Sequence, residues 1–226
     1  MYMKNSLIIA ALVSVLVSVF ATQSVEAGKV TAPSILTETF NDYTLGILLG
    51  QNSWTNYANG DAFMVEGLSR KNRAIYVNGL SDSVITKEGT SLADGMQTLM
   101  VKTNNRAGWG NVPDGNVQVR ISDAPWGAGT SRFVAVTFKA DGNVAYYDKQ
   151  ADVYQNFATY ADNRWTQLDF EWRSGDKTAR YRVNKGAWTN WASFSGSEAF
   201  TAFNNVGFAF TQPTGGVGSV YFDNLK

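Results

Sequence analysis

Three short segments alternate apolar and polar residues with a period of two: Val117-Val119-Ile121 in NVQVRIS, Val134-Val136-Phe138 in RFVAVTFK, and Tyr181-Val183 in ARYRVN. Successive side chains of an extended chain point to opposite faces, so this alternation makes half-buried strands. Beyond the first 27 residues no long stretch carries the apolar spacing of a helix. Turn signals punctuate the chain at Asn59-Gly60, Asn78-Gly79, Asp141-Gly142, Ser174-Gly175-Asp176 and Lys185-Gly186. Asn-Gly and Asp-Gly supply the positive φ that tight hairpins need. Many short strands, no Pro/Ser-rich linker and no internal repeat together predict one all-β domain, a two-sheet antiparallel sandwich.

The first residues have a separate character. Lys4 precedes an apolar run from Leu7 to Ala21, and a polar stretch follows, with Val25 and Ala27 at the small-residue positions that a signal peptidase reads. This is the pattern of a secretory leader, 1–27, and the run is short for a membrane span. The expected product, 28–226, is a single domain acting outside the cytoplasm, secreted or periplasmic. Removing the leader takes away Lys4 and Glu26, so the 19 basic and 19 acidic residues stay balanced. A neutral chain with 17% charged residues has no electrostatic reason to seek nucleic acid or an anionic membrane.

The chain has no histidine and no cysteine. A Ser-His-Asp or Cys-His nucleophile pair therefore cannot be built, and zinc or copper loses its favoured ligands. Any catalysis must use carboxylates, Tyr, Lys or Arg, which leaves mainly carbohydrate chemistry. A chain of this length buries a sizeable core without disulfides.

The segment Arg164 to Arg173, RWTQLDFEWR, is the most informative. Leu168, Phe170 and Trp172 share one parity and should enter the core, while Gln167, Asp169, Glu171 and Arg173 should face solvent or a groove. Trp165 falls out of phase with the apolar row. This strand, the SGD turn and a following strand ending in N-x-G resemble the laminin-G-like and concanavalin A-like domains. The opening LTETFNDYTLGILLGQNSWTN (36–56) and the close GSVYFDNLK (218–226) are similar to the first and last strands of bacterial members. The resemblance implies a jelly roll whose terminal strands lie side by side. It also implies sugar binding on a sheet face or at loop tips, with or without hydrolase or lyase activity.

Four constellations follow. Laminarinase-type hydrolases on this fold carry E-x-D-x-E on one strand; here the run reads Gln167-x-Asp169-x-Glu171. Retaining hydrolysis needs two carboxyl groups about 5–5.5 Å apart, and Gln167 cannot be the nucleophile. A lyase could use a tyrosine base, with Gln118 and Arg120 neutralising a uronate. For sugar binding, seven Trp and ten Tyr are generous, and Trp109 and Trp126 sit in GWGNVPDGN and SDAPWGAG with no strand to pack into. They form the expected exposed platform, with Gln118, Arg120, Asp169 and Glu171 as polar contacts; the alternative is that they plug the ends of the sandwich. Finally, the resemblance implies structural calcium between Glu38 and Asp223, helped by Asn41 or Asp42; otherwise Asp223 forms a local hydrogen bond or merely faces water. The leading expectation is a non-catalytic, lectin-like module for a polysaccharide or glycan. A hydrolase or lyase on the same fold, or an adhesive surface domain, remains the alternative.

Overall fold

Period-two alternation becomes strand wherever one parity can be buried. The computed structural model describes residues 32–226, apart from 60–61, 70–71, 79–81, 111, 129–131, 195–198 and 213–215. The expected leader and the glycines of the Asn59-Gly60 and Asn78-Gly79 turns lie outside the described residues. The strands run β1 (Gly46–Ile47), β2 (Thr55–Ala58), β3 (Phe63–Ser69), β4 (Asn72–Asn78), β5 (Ser83–Leu92), β6 (Gly95–Asn104), β7 (Val117–Ser122) and β8 (Phe133–Phe138). They continue through β9 (Asn143–Asp148), β10 (Val153–Thr159), β11 (Trp165–Arg173), β12 (Thr178–Val183), β13 (Ala192–Ser193), β14 (Phe203–Phe210) and β15 (Ser219–Asp223).

They form two antiparallel sheets. One has eight strands in the order β1-β3-β4-β15-β6-β11-β12-β13; the other has seven, in the order β10-β9-β8-β7-β14-β5-β2. The last strand thus lies inside the eight-stranded sheet, and Glu38, near the start, bridges to Leu225, near the end. This is the expected all-β sandwich with its termini side by side. The turns behave as their chemistry demands. Gly142 takes φ 91° between β8 and β9, and Asn184 and Lys185 take φ 51° and 59° after β12.

The core is the shared inner parity. Val117, Val119 and Ile121 of β7, Val134, Val136 and Phe138 of β8, and Leu168, Phe170 and Trp172 of β11 are all buried. Aromatic rings hold the two sheets together. Phe208 of β14 stacks on Phe222 of β15 at 4.2 Å between centroids and on Trp54 at 5.5 Å. Tyr146 of β9 stacks on Tyr181 of β12 at 4.9 Å. At the edge of this core Lys87 Nζ pairs with the Glu38 carboxylate, which also accepts from Tyr43 Oη at 2.6 Å. Removing a buried aromatic side chain costs about 3–5 kcal/mol. Phe208→Ala should therefore lower stability by that amount, read from the urea midpoint at unchanged slope.

Candidate functional site

The outer parity of each sheet carries the chemistry, and the two faces differ. On the eight-stranded sheet Asp169 lies opposite Thr98 of β6 and Arg182 of β12. It is fully buried, accepting from Thr98 Oγ1 at 2.7 Å, Gln167 Nε2 at 2.9 Å and Arg182 Nε at 2.6 Å. Glu171 is held by a fork from Arg180 Nε and Nη2 at 2.9 and 2.6 Å. Both carboxylates are thus neutralised by guanidinium groups. Glu171 borders a hollow of about 360 Å³ with Pro33, Asp94 and Arg173, but Asp169 does not. Asp169 is fully buried and does not line that hollow, and each carboxylate is engaged by its own arginine. The expectation that Asp169 faces solvent or a groove is corrected: its parity is outward, but neighbouring side chains cover it.

Two tryptophans complete this cover. Arg180 lies 4.7 Å from the ring centroids of both Trp188 and Trp191. Arg182 stacks on Trp188 at 4.3 Å, and Arg173 on Trp191 at 4.2 Å. The result is an Arg–Trp ladder along β11 and β12. Its rings are occupied by cations of the same chain.

Glu38 and Asp223 each have partners within the chain. The Glu38 carboxylate already carries the Lys87 ammonium and the Tyr43 hydroxyl, so a cation would have to displace another cation. Asp223 accepts from Asn224 N at 2.7 Å and Asn224 Nδ2 at 3.2 Å. Among the described residues no group of three or more acidic side chains gathers around a point that could hold a metal. Calcium wants six or more oxygens.

Trp109 is also corrected. It is fully buried, edge-on to Phe210 at 5.4 Å. A short 3₁₀ turn, Arg106–Gly108, directs it inward, and Gly218 leaves room for the indole, since a Cβ there would lie 2.4 Å from Trp109 Nε1. It plugs the end of the sandwich. Trp126 is half-buried and lies on the outer face of the seven-stranded sheet.

There the outward side chains of β7 to β10 converge. Arg120 pairs across β14 with Gly207, and Trp126 lies over that glycine: a Cβ on Gly207 would sit 2.9 Å from the indole. The Arg120 guanidinium is enclosed by two rings, 3.9 Å from the Trp126 centroid and 3.8 Å from that of Phe133. Phe133 stacks on Tyr147 at 5.4 Å, and Tyr147 meets Tyr154 at 5.3 Å. Gln118 Nε2 donates to Tyr154 Oη. At the other end Tyr57, 59% exposed, packs against Gly127 beside Trp126. A continuous aromatic shelf crosses the sheet with one cation at its centre. A hollow of about 490 Å³ opens beside it between Asp114, Lys139, Asp152, Tyr147 and Tyr154.

Arg120 is electrostatically unusual. Burial pulls its pKa down to about 10. Arg132, Arg180 and Arg182 each hold a carboxylate, whereas Arg120 forms no ion pair among the described residues, and its Nε has no partner. Burial pushes the Tyr147 and Tyr154 phenols up to about 12, reinforced at Tyr147 by the hydrogen bond to Asp152. That direction is wrong for a tyrosine base.

The structure thus gathers Gln118, Arg120 and Trp126 on one face, leaves Asp169 and Glu171 on the other, and removes Trp109. Sequence reasoning missed Tyr57, Phe133, Tyr147 and Tyr154. The β9–β10 pairing held the signal, since a hairpin about the Lys149–Asp152 turn sets Tyr147 opposite Tyr154.

Asp223 generates a pH prediction. Desolvation pushes its carboxyl pKa up to about 6. The folded protein therefore binds this proton more tightly than the unfolded chain does. The contribution is fully present below about pH 4 and is lost as pH rises through about 6. Asp223→Asn should raise the melting temperature at pH 7 and converge with the parent near pH 4 in a thermal denaturation series. Chelation with EDTA should shift neither curve.

No sequence-family model and no curated protein matches this chain. Solved structures do. A sialidase superposes with a TM-score of 0.59 at 11% identity over 87% of this chain, which spans only 18% of the sialidase. The carbohydrate esterase of Shiga toxin-encoding bacteriophage phi24B gives 0.55 at 12% identity, covering 86% of this chain and 98% of its own. A family 16 endo-glucanase from Bacteroides ovatus gives 0.51 at 12% identity, covering 85% and 99%. Identities this low speak for architecture. The chain has the concanavalin A-like jelly-roll fold.

Proposed function

We propose that this protein binds an acidic polysaccharide without cleaving it, on the outer face of the seven-stranded sheet. The observation that carries the reading is Arg120: a desolvated guanidinium, clamped between Trp126 and Phe133, with no carboxylate partner among the described residues. A uronate carboxylate would supply the missing anion, and the flanking rings offer flat apolar surface to the sugar. Gln118 and the Tyr147 and Tyr154 hydroxyls add hydrogen-bonding groups at the rim. The names of the structural neighbours, a sialidase, a carbohydrate esterase and an endo-glucanase, support carbohydrate as the ligand class. The leader pattern of residues 1–27 supports action outside the cytoplasm, where such polymers occur.

The engagement of the candidate groups supports a non-catalytic role. Asp169 and Glu171 are bound to arginines, and the chain has no histidine or cysteine to activate a nucleophile. A lyase reading retains the right residue types in Gln118, Arg120 and Tyr154, but the phenols near 12 oppose it. Prolonged incubation with polygalacturonate or alginate should produce no new ultraviolet absorbance from unsaturated ends; its appearance would favour the lyase.

Native electrophoresis in gels containing polygalacturonate tests the binding reading. The parent protein should be retarded, and added salt should weaken the effect by screening the charge pair. Arg120→Ala and Trp126→Ala should each lower affinity at least tenfold, about 1.4 kcal/mol. Tyr154→Phe should change it less. Unchanged retardation in Arg120→Ala would remove this face from the function.

A further inference from the structure

The opposite face of the sandwich carries a second row that the first site does not use. Ile47 of β1 lies directly across from Met64 of β3, and Met64 from Tyr76 of β4. Tyr76 pairs with Tyr221 of β15, Tyr221 with Lys102 of β6, and Lys102 with Trp165 of β11. These side chains form one line across six adjacent strands, pointing away from the core because their neighbours Val65, Ile75, Val77, Val101 and Phe222 fill it. Ile47 is 54% and Met64 36% exposed; the rest of the row is half-buried. The Tyr76 and Tyr221 rings lie 4.9 Å apart, Trp165 meets Tyr221 edge-on at 6.5 Å, and the Lys102 ammonium lies 5.5 Å from the Tyr221 ring.

We propose that this row is a second glycan site, taking an extended, uncharged β-linked polysaccharide across the strands of the eight-stranded sheet. Three observations carry it. First, the geometry is that of a track one side chain wide. Strands lie about 4.8 Å apart, close to the length of one hexose in an extended β-linked chain, so successive sugar rings meet successive strands. A protein partner would need an apolar patch many side chains across. Second, a parallel row of polar groups flanks the track. Exposed Asn78 and Asn104, with buried Ser219 between them, pair in register two residues further along β4, β6 and β15. With Asn105 and Tyr76 they border an open hollow of about 470 Å³. Exposed amides beside aromatic rings offer donors and acceptors to sugar hydroxyls while the rings take the apolar face. Third, the row carries little charge. Lys102 is its one cation, drawn over the Tyr221 ring, and Glu66 supplies a negative charge near Tyr221. An uncharged ligand fits here and an acidic one fits at Arg120.

The two sites share no residue, so each can fail alone. Native electrophoresis in gels containing hydroxyethylcellulose or polygalacturonate separates them. The Trp165→Ala/Tyr221→Ala variant should lose retardation by hydroxyethylcellulose and keep that by polygalacturonate. Arg120→Ala/Trp126→Ala should do the reverse. Asn78→Ala/Asn104→Ala, confined to exposed amides, should weaken retardation by hydroxyethylcellulose at least threefold with an unchanged melting temperature, which separates loss of binding from loss of fold. No retardation of the parent by hydroxyethylcellulose, or retardation that survives in Trp165→Ala/Tyr221→Ala, overturns the second site and leaves the Arg120 reading standing. Sedimentation showing a dimer that Tyr221→Ala dissolves would also overturn it, by assigning the row to a second copy of the chain.

Discussion

The molecule is held in register by aromatic rings stacked between its layers. Phe208 contacts Phe222 across the sandwich and Trp54 beside it, while Tyr146 and Tyr181 do the same further along. With no disulfide available, these flat contacts fix how one sheet lies on the other. Everything on the two outer faces depends on that placement, because a strand that slipped by one residue would exchange its inner and outer side chains.

Arginine against aromatic rings recurs on both faces with opposite outcomes. Along β11 and β12, Arg180 and Arg182 stack on tryptophans and also hold Glu171 and Asp169, so ring, cation and anion complete one another. A partly buried pair of this kind costs desolvation and returns hydrogen bonds, which suits a structural brace. Arg120 has the rings without the anion. The same side chain is a brace in one place and, in the function proposed for it, a receptor in the other, and the difference among the described residues is a single carboxylate.

Much of the architecture was legible in period-two alternation. The β7, β8, β11 and β12 segments fell where alternation set them, with Leu168, Phe170 and Trp172 inside. The site was legible only in part. Gln118 and Arg120 share a strand, so their common face followed from parity alone. Trp109 did not follow, because the 3₁₀ turn before it and the space beside Gly218 are tertiary facts with no local signature. Asp169 misled for a similar reason. Parity gives the side of a sheet but not what covers it, and Arg182 and Thr98 come from neighbouring strands. The row from Ile47 to Trp165 is invisible along the chain, since it exists only once six strands are paired.

Gly207 carries a consequence for how such a surface changes over time. It lies in the interior of the seven-stranded sheet, beneath the Trp126 indole and across from Arg120. Its inner neighbours Val206 and Phe208 belong to the core, but its own missing side chain is the floor on which the shelf rests. One nucleotide change in that codon could evict the indole while leaving the scaffold its stacked interior. The shape of this face is therefore separable from folding at one backbone position, and if it is the proposed glycan site, descendants of the chain could lose or retune the ligand without rebuilding the sandwich.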